Sequence, residues 1–160
     1  MNSDESSNAM NSLQLVIPAS HTFLQVIGAC ISGLLDNGAP LPEKERVSYN
    51  IELAVHEACS NIIEHAYAGL PGRIRLLFTL LEAPHKIVIE LFDNGRSFDF
   101  LAAPVPDLNE PQIRGYGLFL IQELMDKVEY CAKSDGNHWR MIKNLEQIES
   151  SAASLIRRNS

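Results

Sequence analysis

One long helical pattern, from Pro42-Glu43 to about Tyr67, constrains this chain more than any other feature. Val47, Ile51, Val55, Ala58, Ile62 and Ala66 recur at helical spacing and form an apolar stripe that must pack against something. Pro and an acidic first turn open the segment, and Gly69 stops it. Residues advance by about 100° around a helix axis, so Glu57, Asn61 and His65 stack on one flank of the stripe. Ala54 and Ala58 lie beside them and leave room for a ligand.

The remaining segments supply the partner layer. Leu13 to Ile17 reads as a short strand closed by Pro18. Ser20 is the expected N-cap of a helix reaching Leu35, with Phe23, Leu24, Ile27, Ile31, Leu34 and Leu35 on its apolar face. Arg73 to Leu81 and Lys86 to Phe92 read as strands around the Ala83-Pro84 turn. Asp93 to Ile113 is loop-like, and Gly115 to Asp126 reads as a third helix. Val128 to Lys133 and Asn137 to Lys143 form a hairpin around Asp135-Gly136. The expected architecture is α+β: a two-layer sandwich with a mostly antiparallel, mixed sheet and its helices on one face. Residues 1–12 read as a mobile start, 13–145 as the domain and 146–160 as a tail with room for a short helix. Ser7-Asn8-Ala9 before Met10 resembles a cloning remnant.

Three short segments carry candidate chemistry. On the long helix, the Glu57 carboxylate can activate a hydroxyl, and Asn61 one turn on can offer an oxygen to Mg²⁺. The bland alternative is a pair of solvated boundary residues. At Asp93-Asn94-Gly95 the strand alternation breaks. A strand-end carboxylate can accept a hydrogen bond from an exocyclic amine, and Gly95 lets backbone approach a flat ring. The same tripeptide is also ordinary turn chemistry. Phe98 either walls that pocket or anchors the loop. In Arg114-Gly115-Tyr116-Gly117-Leu118, glycines at a helix start expose N–H groups that can cradle phosphate, with Arg114 adding charge. The spacing fits neither a dinucleotide fingerprint nor a P-loop, and a helix entry without ligand is the plain alternative.

Bulk properties remove other classes. A formal net charge of −7 disfavours a broad nucleic-acid footprint or docking to anionic lipid. Cys30, Cys59 and Cys131 include no CxxC pair, which argues against zinc and suits a reducing cytoplasm. His65 has no second ligand at zinc spacing. No apolar run has membrane-spanning length.

Taken in order, Glu57-x-x-x-Asn61, Asp93-x-Gly95-x-x-Phe98 and Gly115-x-Gly117-Leu118 resemble the N, G1 and G2 boxes of the GHKL ATPases, which have the Bergerat fold. Glu57-Ala58-Cys59-Ser60-Asn61 running into His65-Ala66-Tyr67, together with Met125-Asp126-Lys127-Val128, is similar to the bacterial anti-sigma factor serine kinases. The likeness spans roughly Leu13 to Leu145. It implies ATP and Mg²⁺ as cofactors, Glu57 as general base and Asn61 as metal ligand. Asp93 and Gly95 would hold adenine; Phe98, Arg114, Gly115, Gly117 and Leu118 would complete the ATP site. Phe98 to Arg114 would be the lid. The implied partners are a sigma factor and an anti-sigma factor antagonist whose serine is phosphorylated, with a homodimer as the assembly. Tyr116 departs from the small or aliphatic residue expected there, and the lid lacks extra glycines; both bear on lid closure and turnover.

Two other functions compete. One is a module that binds nucleotide and sequesters its partner without phosphotransfer; an intact Glu57 argues against it. The other is a detached histidine-kinase catalytic domain, for which no dimerisation helix with a phosphoacceptor His is apparent.

Overall fold

The computed structural model describes residues 11–99 and 116–146. Nine main elements follow in the order β1 (Ser12–Pro18), α1 (Gln25–Asp36), α2 (Lys44–Asn61), a π-helical turn (Ile62–Ala66), β2 (Arg73–Glu82), β3 (His85–Asp93), α3 (Tyr116–Leu124), β4 (Lys127–Lys133) and β5 (Gly136–Asn144). The strands form one five-stranded sheet in the order β1-β2-β3-β5-β4. Every pairing is antiparallel, so the mixed component expected from sequence is not found among the described residues.

Alternation along the strands sets the core. Ile74, Leu76, Phe78 and Leu80 of β2, Ile87, Ile89 and Leu91 of β3, and Trp139 and Met141 of β5 all turn to one face and are buried. The register lays Leu76 beside Leu91 and Leu91 beside Trp139, which makes the apolar residues of neighbouring strands continuous. Against that face pack Ile27, Ile31 and Leu35 of α1, and Ile51, Val55, Ala58 and Ile62 of the second helix. Cys59 lies in this core, and burial pushes its thiol well above the ordinary range.

Helix boundaries depart from the sequence reading at three points. Ser20 precedes a short 3₁₀ turn over His21–Phe23, makes no side-chain cap bond, and the α-helix starts only at Gln25. Pro42 does not open α2, because Glu43 takes a left-handed conformation (φ 52°) and the helix begins at Lys44. Beyond Asn61 the bonding widens to i→i−5, with the Tyr67 amide donating to the Ile62 carbonyl at 3.0 Å. Ala68 and Gly69 then turn left-handed and end the helix.

The two sheet edges differ in character. β4 carries Lys127, Glu129 and Lys133, charges that blunt an edge. No Lys, Arg, Asp or Glu occurs between Asn11 and Leu35, which covers β1 and all of α1 but its last residue, Asp36. Leu13, Val16, Phe23 and Val26 of that stretch are among the exposed large hydrophobics.

The exit of the π turn is held by Tyr67. Its hydroxyl donates to the Arg73 carbonyl at 2.7 Å and accepts from the Asn94 amide at 3.1 Å. Tyr67→Phe loses both bonds at groups that water can partly re-satisfy. The expected cost is about 1 kcal/mol, read as a lower urea midpoint with an unchanged m-value.

Candidate functional site

Asp93 ends β3 and is 3% exposed. Its Oδ1 accepts from the Gly95 amide at 2.9 Å and from Asn137 Nδ2 at 2.8 Å. Its Oδ2 is buried and has no hydrogen-bond partner among the described residues. An ionised oxygen held dry and unpaired is costly, and a donor from a ligand would relieve it. Burial pushes this carboxyl above its usual value, against the bonds from Asn137 and Gly95 that pull it down.

Asn137 is the residue that sequence reasoning missed. It is 3% exposed at the start of β5, directly across from Asp93 in the ladder. Besides Asp93, its Nδ2 donates to the carbonyls of Gly95 (3.1 Å) and Arg96 (3.3 Å), and its Oδ1 accepts from the Ser97 hydroxyl at 2.7 Å. One amide therefore aims the Asp93 carboxylate and ties down the loop after it. In sequence it stands next to Asp135-Gly136 and reads as the start of a hairpin strand; only the β3–β5 register reveals its role.

Gly95 is required by close approach. A Cβ there would lie 2.6 Å from the Ala66 carbonyl carbon, and the Arg96 amide donates to the Ala66 oxygen at 2.8 Å. The end of the π turn is thus bonded to the loop beside Asp93. Phe98 anchors rather than walls: its ring lies 4.6 Å from Tyr130 and 5.5 Å from Trp139, and its amide donates to the Tyr130 hydroxyl at 3.2 Å.

Glu57 and Asn61 meet the start of α3. A Cβ at Gly117 would lie 2.8 Å from Glu57 Oε2 and 3.8 Å from Asn61 Oδ1, so the carboxylate and carboxamide face the first turn of that helix together. Amides of a first turn have no intrahelical acceptor and suit phosphate oxygens. Neither side chain makes a hydrogen bond among the described residues, and both are partly buried. Leu118 packs against the core. His65 does not continue this row: it lies within the π turn, whose wider winding shifts its phase, and it is exposed. Arg114 and Gly115 lie outside the described residues, as does most of the expected lid. No group of three or more His, Cys, Asp or Glu side chains that could hold a metal occurs among the described residues.

The second helix spaces these parts. Glu57 to Ala66 covers about 13 Å at an α-helical rise of about 1.5 Å per residue, with the Gly117 end at Glu57 and Asn61 and the Gly95 end at Ala66. The arrangement fits an extended nucleotide, with its base amine at Asp93 and its phosphates at α3.

Asp93→Asn should lower ATP affinity by one to two decades, the worth of a charge-assisted bond of about 1.5–3 kcal/mol. GTP should bind worse than ATP, since guanine presents a carbonyl where adenine has its amine. The pH dependence has two opposite signs. The folded chain holds the Asp93 proton more tightly than the unfolded chain, so this stability contribution is full at low pH and lost as pH rises through the raised value. ATP affinity instead falls as pH drops through that value. Asp93→Asn should therefore weaken binding without lowering the urea midpoint at neutral pH. Asn137→Ala should lose ATP binding at a higher pH than wild type. Calorimetry across pH beside urea titration reads both effects.

Comparison with known proteins agrees with this geometry. The histidine kinase-like ATPase domain family matches residues 23–143. The serine-protein kinase RsbW of Halalkalibacterium halodurans is 36% identical over 129 residues, which cover 73% of this chain and 74% of the relative. The RsbW of Bacillus thuringiensis is 32% identical over 129 residues, 73% of this chain and 75% of that one. Among solved structures, the RsbU and RsbW domains of Rv1364c from Mycobacterium tuberculosis superpose with a TM-score of 0.60 at 17% identity, over 85% of this chain and 33% of that chain, a likeness of fold. The match therefore spans about a third of that solved chain. The blue-light activated histidine kinase of Erythrobacter litoralis EL346 gives 0.50 at 20% identity, over 88% of this chain and 65% of the kinase domain. The α+β fold, the boxes in order and these relatives agree: the chain belongs to the histidine kinase-like ATPase family, in its RsbW serine-protein kinase branch.

Proposed function

We propose that this chain is an ATP-dependent protein-serine kinase that phosphorylates a serine of an anti-sigma factor antagonist and sequesters a sigma factor. The observation that carries the reading is the placement of Glu57 and Asn61 against Gly117, on the helix that also closes onto the loop beside Asp93. Asp93 accepts the adenine amine through its free Oδ2. Gly117, with Gly115 before it, leaves backbone amides open to the phosphates. Asn61 offers its side-chain oxygen to Mg²⁺, which supplies charge neutralisation on the phosphates when bound. Glu57 takes the proton of the attacking serine hydroxyl as the serine oxygen bonds to the γ-phosphorus, while the bond from that phosphorus to the β,γ-bridging oxygen breaks and ADP leaves with its electron pair.

The setting follows from the surface. Among the described residues no helix is long and apolar enough to cross a membrane, and the three free cysteines fit a reducing cytoplasm. The assembly is a homodimer in which β1 pairs with a second β1 and the exposed apolar residues Phe23 and Val26 are covered. An antiparallel edge can pair with itself about a two-fold axis, and this edge carries no charge to prevent it. Val16→Lys should shift the chain to monomer mass in light scattering, with ATP affinity retained; a monomeric wild type at high concentration, with and without sigma factor, would remove the dimer.

Labelled γ-phosphate transfer to the cognate antagonist, run beside capture of the sigma factor, tests the activity. Glu57→Ala should keep ATP and partner binding and lose about 10²–10⁴-fold in transfer rate. Asn61→Ala should lose Mg²⁺ dependence and transfer together. A wild type that captures sigma factor yet transfers nothing would establish sequestration without catalysis. Wild-type transfer by Glu57→Ala would show that the base is another group.

A further inference from the structure

The helix-free face of the sheet holds a cleft of about 330 Å³ behind Asp93, lined by Arg73, Arg75, Phe92, Lys133, Gly136 and His138, among others. Its charge is out of keeping with the chain. The carboxylates of this face are already engaged: Glu90 with His138 at 3.0 Å, and Glu129 with Lys127 at 2.9 Å and Arg140 at 3.6 Å. Arg73, Arg75 and Lys133 pair with no carboxylate among the described residues. Two acidic side chains line the cleft with them: Asp135, and Asp93, whose Oδ1 is engaged by Asn137 and Gly95. Three cations without a carboxylate ion-pair partner among the described residues thus converge, in excess over the two acidic side chains beside them, in a protein whose net charge is −7.

The cleft is also ordered. The Arg75 guanidinium carbon sits 3.8 Å from the Phe92 ring centre, and Phe92 stacks on His138 at 4.4 Å with an interplanar angle of 5°. His138 is fixed in turn by Glu90. A guanidinium held over a ring face by cation–π attraction loses less freedom when it binds a carboxylate. At the base, a Cβ at Gly136 would fall 2.6 Å from the Asp93 carbonyl oxygen, so the turn between β4 and β5 packs hard against the strand end.

We propose that this cleft is a docking site for an acidic segment of a protein partner, with side-chain carboxylates taken by Arg75, Arg73 and Lys133. The inference does not depend on the kinase reading: Asp93 and Asn137 border both places, but the cations lie on the sheet face opposite Glu57 and Asn61. A long nucleic acid fits poorly: its phosphates would run past the cleft onto an acidic protein. A short acidic stretch meets the cations alone. Attraction of this kind raises the association rate and weakens with salt.

Amide shifts of the full chain, followed by NMR, test it with four probes: a Glu-rich octapeptide, its Gln counterpart, inorganic phosphate and a single-stranded RNA octamer. The expected result is that the Glu peptide perturbs Arg75, Phe92 and Gly136, loses its effect in high salt, and binds better than the other three. K133E combined with R75Q should weaken it tenfold or more, while unchanged ATP affinity reports an intact fold; K133E alone should give an intermediate loss. Perturbation elsewhere, or affinity indifferent to these substitutions, overturns the proposal. Equal binding by phosphate would make the cleft a small-anion site, and tighter binding by RNA would make it a nucleic-acid site; either result also overturns it.

Discussion

A carboxylate buried with one oxygen unpaired is the constraint around which this domain is arranged. Asp93 is costly to bury, and its environment offsets only part of that cost. Asn137 and the Gly95 amide both bond to Oδ1, which leaves Oδ2 as the single open acceptor at a fixed direction. In the proposed role as acceptor of a base amine, this carboxylate oxygen would need no reorganisation to meet its ligand. A neutral residue would serve the fold as well or better; the carboxylate is retained against the interest of stability.

The second helix turns that local feature into a site. Its α-helical part carries Glu57 and Asn61 on the side facing α3, and its π turn delivers Ala66 to Gly95. Winding more loosely over Ile62–Ala66 changes which residues face the loop without breaking the helix. Tyr67 then fastens the exit to both β2 and the loop. Spacing between the two ends of the site is therefore held by continuous backbone rather than by a hinge.

Much of this was legible in the residues themselves. The Val47–Ala66 stripe and the alternation in β2 and β3 are physical periodicities, and they located the layers and the core. Glu57, Asn61, Asp93, Gly95 and Gly117 became meaningful through their order, and the structure places Glu57 and Asn61 at Gly117 and Asp93 at Gly95. What stayed hidden depended on long-range register or on local backbone states. Asn137 matters because β5 pairs with β3, a contact across 44 positions that spacing does not encode. The π turn displaced His65 from a row that ideal helical geometry had assigned to it. Glu43 is left-handed at the start of α2 although Pro42-Glu43 has good helix-opening chemistry, a backbone state that local preference does not reveal.

The unlike edges of the sheet carry a consequence for growth. Pairing at a strand edge is open-ended when both sides are available, since each added copy exposes a fresh template for the next. Here the β4 side is studded with Lys127, Glu129 and Lys133, while the β1 side is bare of charge. A sheet with a single receptive side, joined to its own kind about a two-fold axis, has nothing left to offer a third copy. For the proposed dimer, polarity between two borders would separate a closed pair from a fibre, through a few charged side chains on β4.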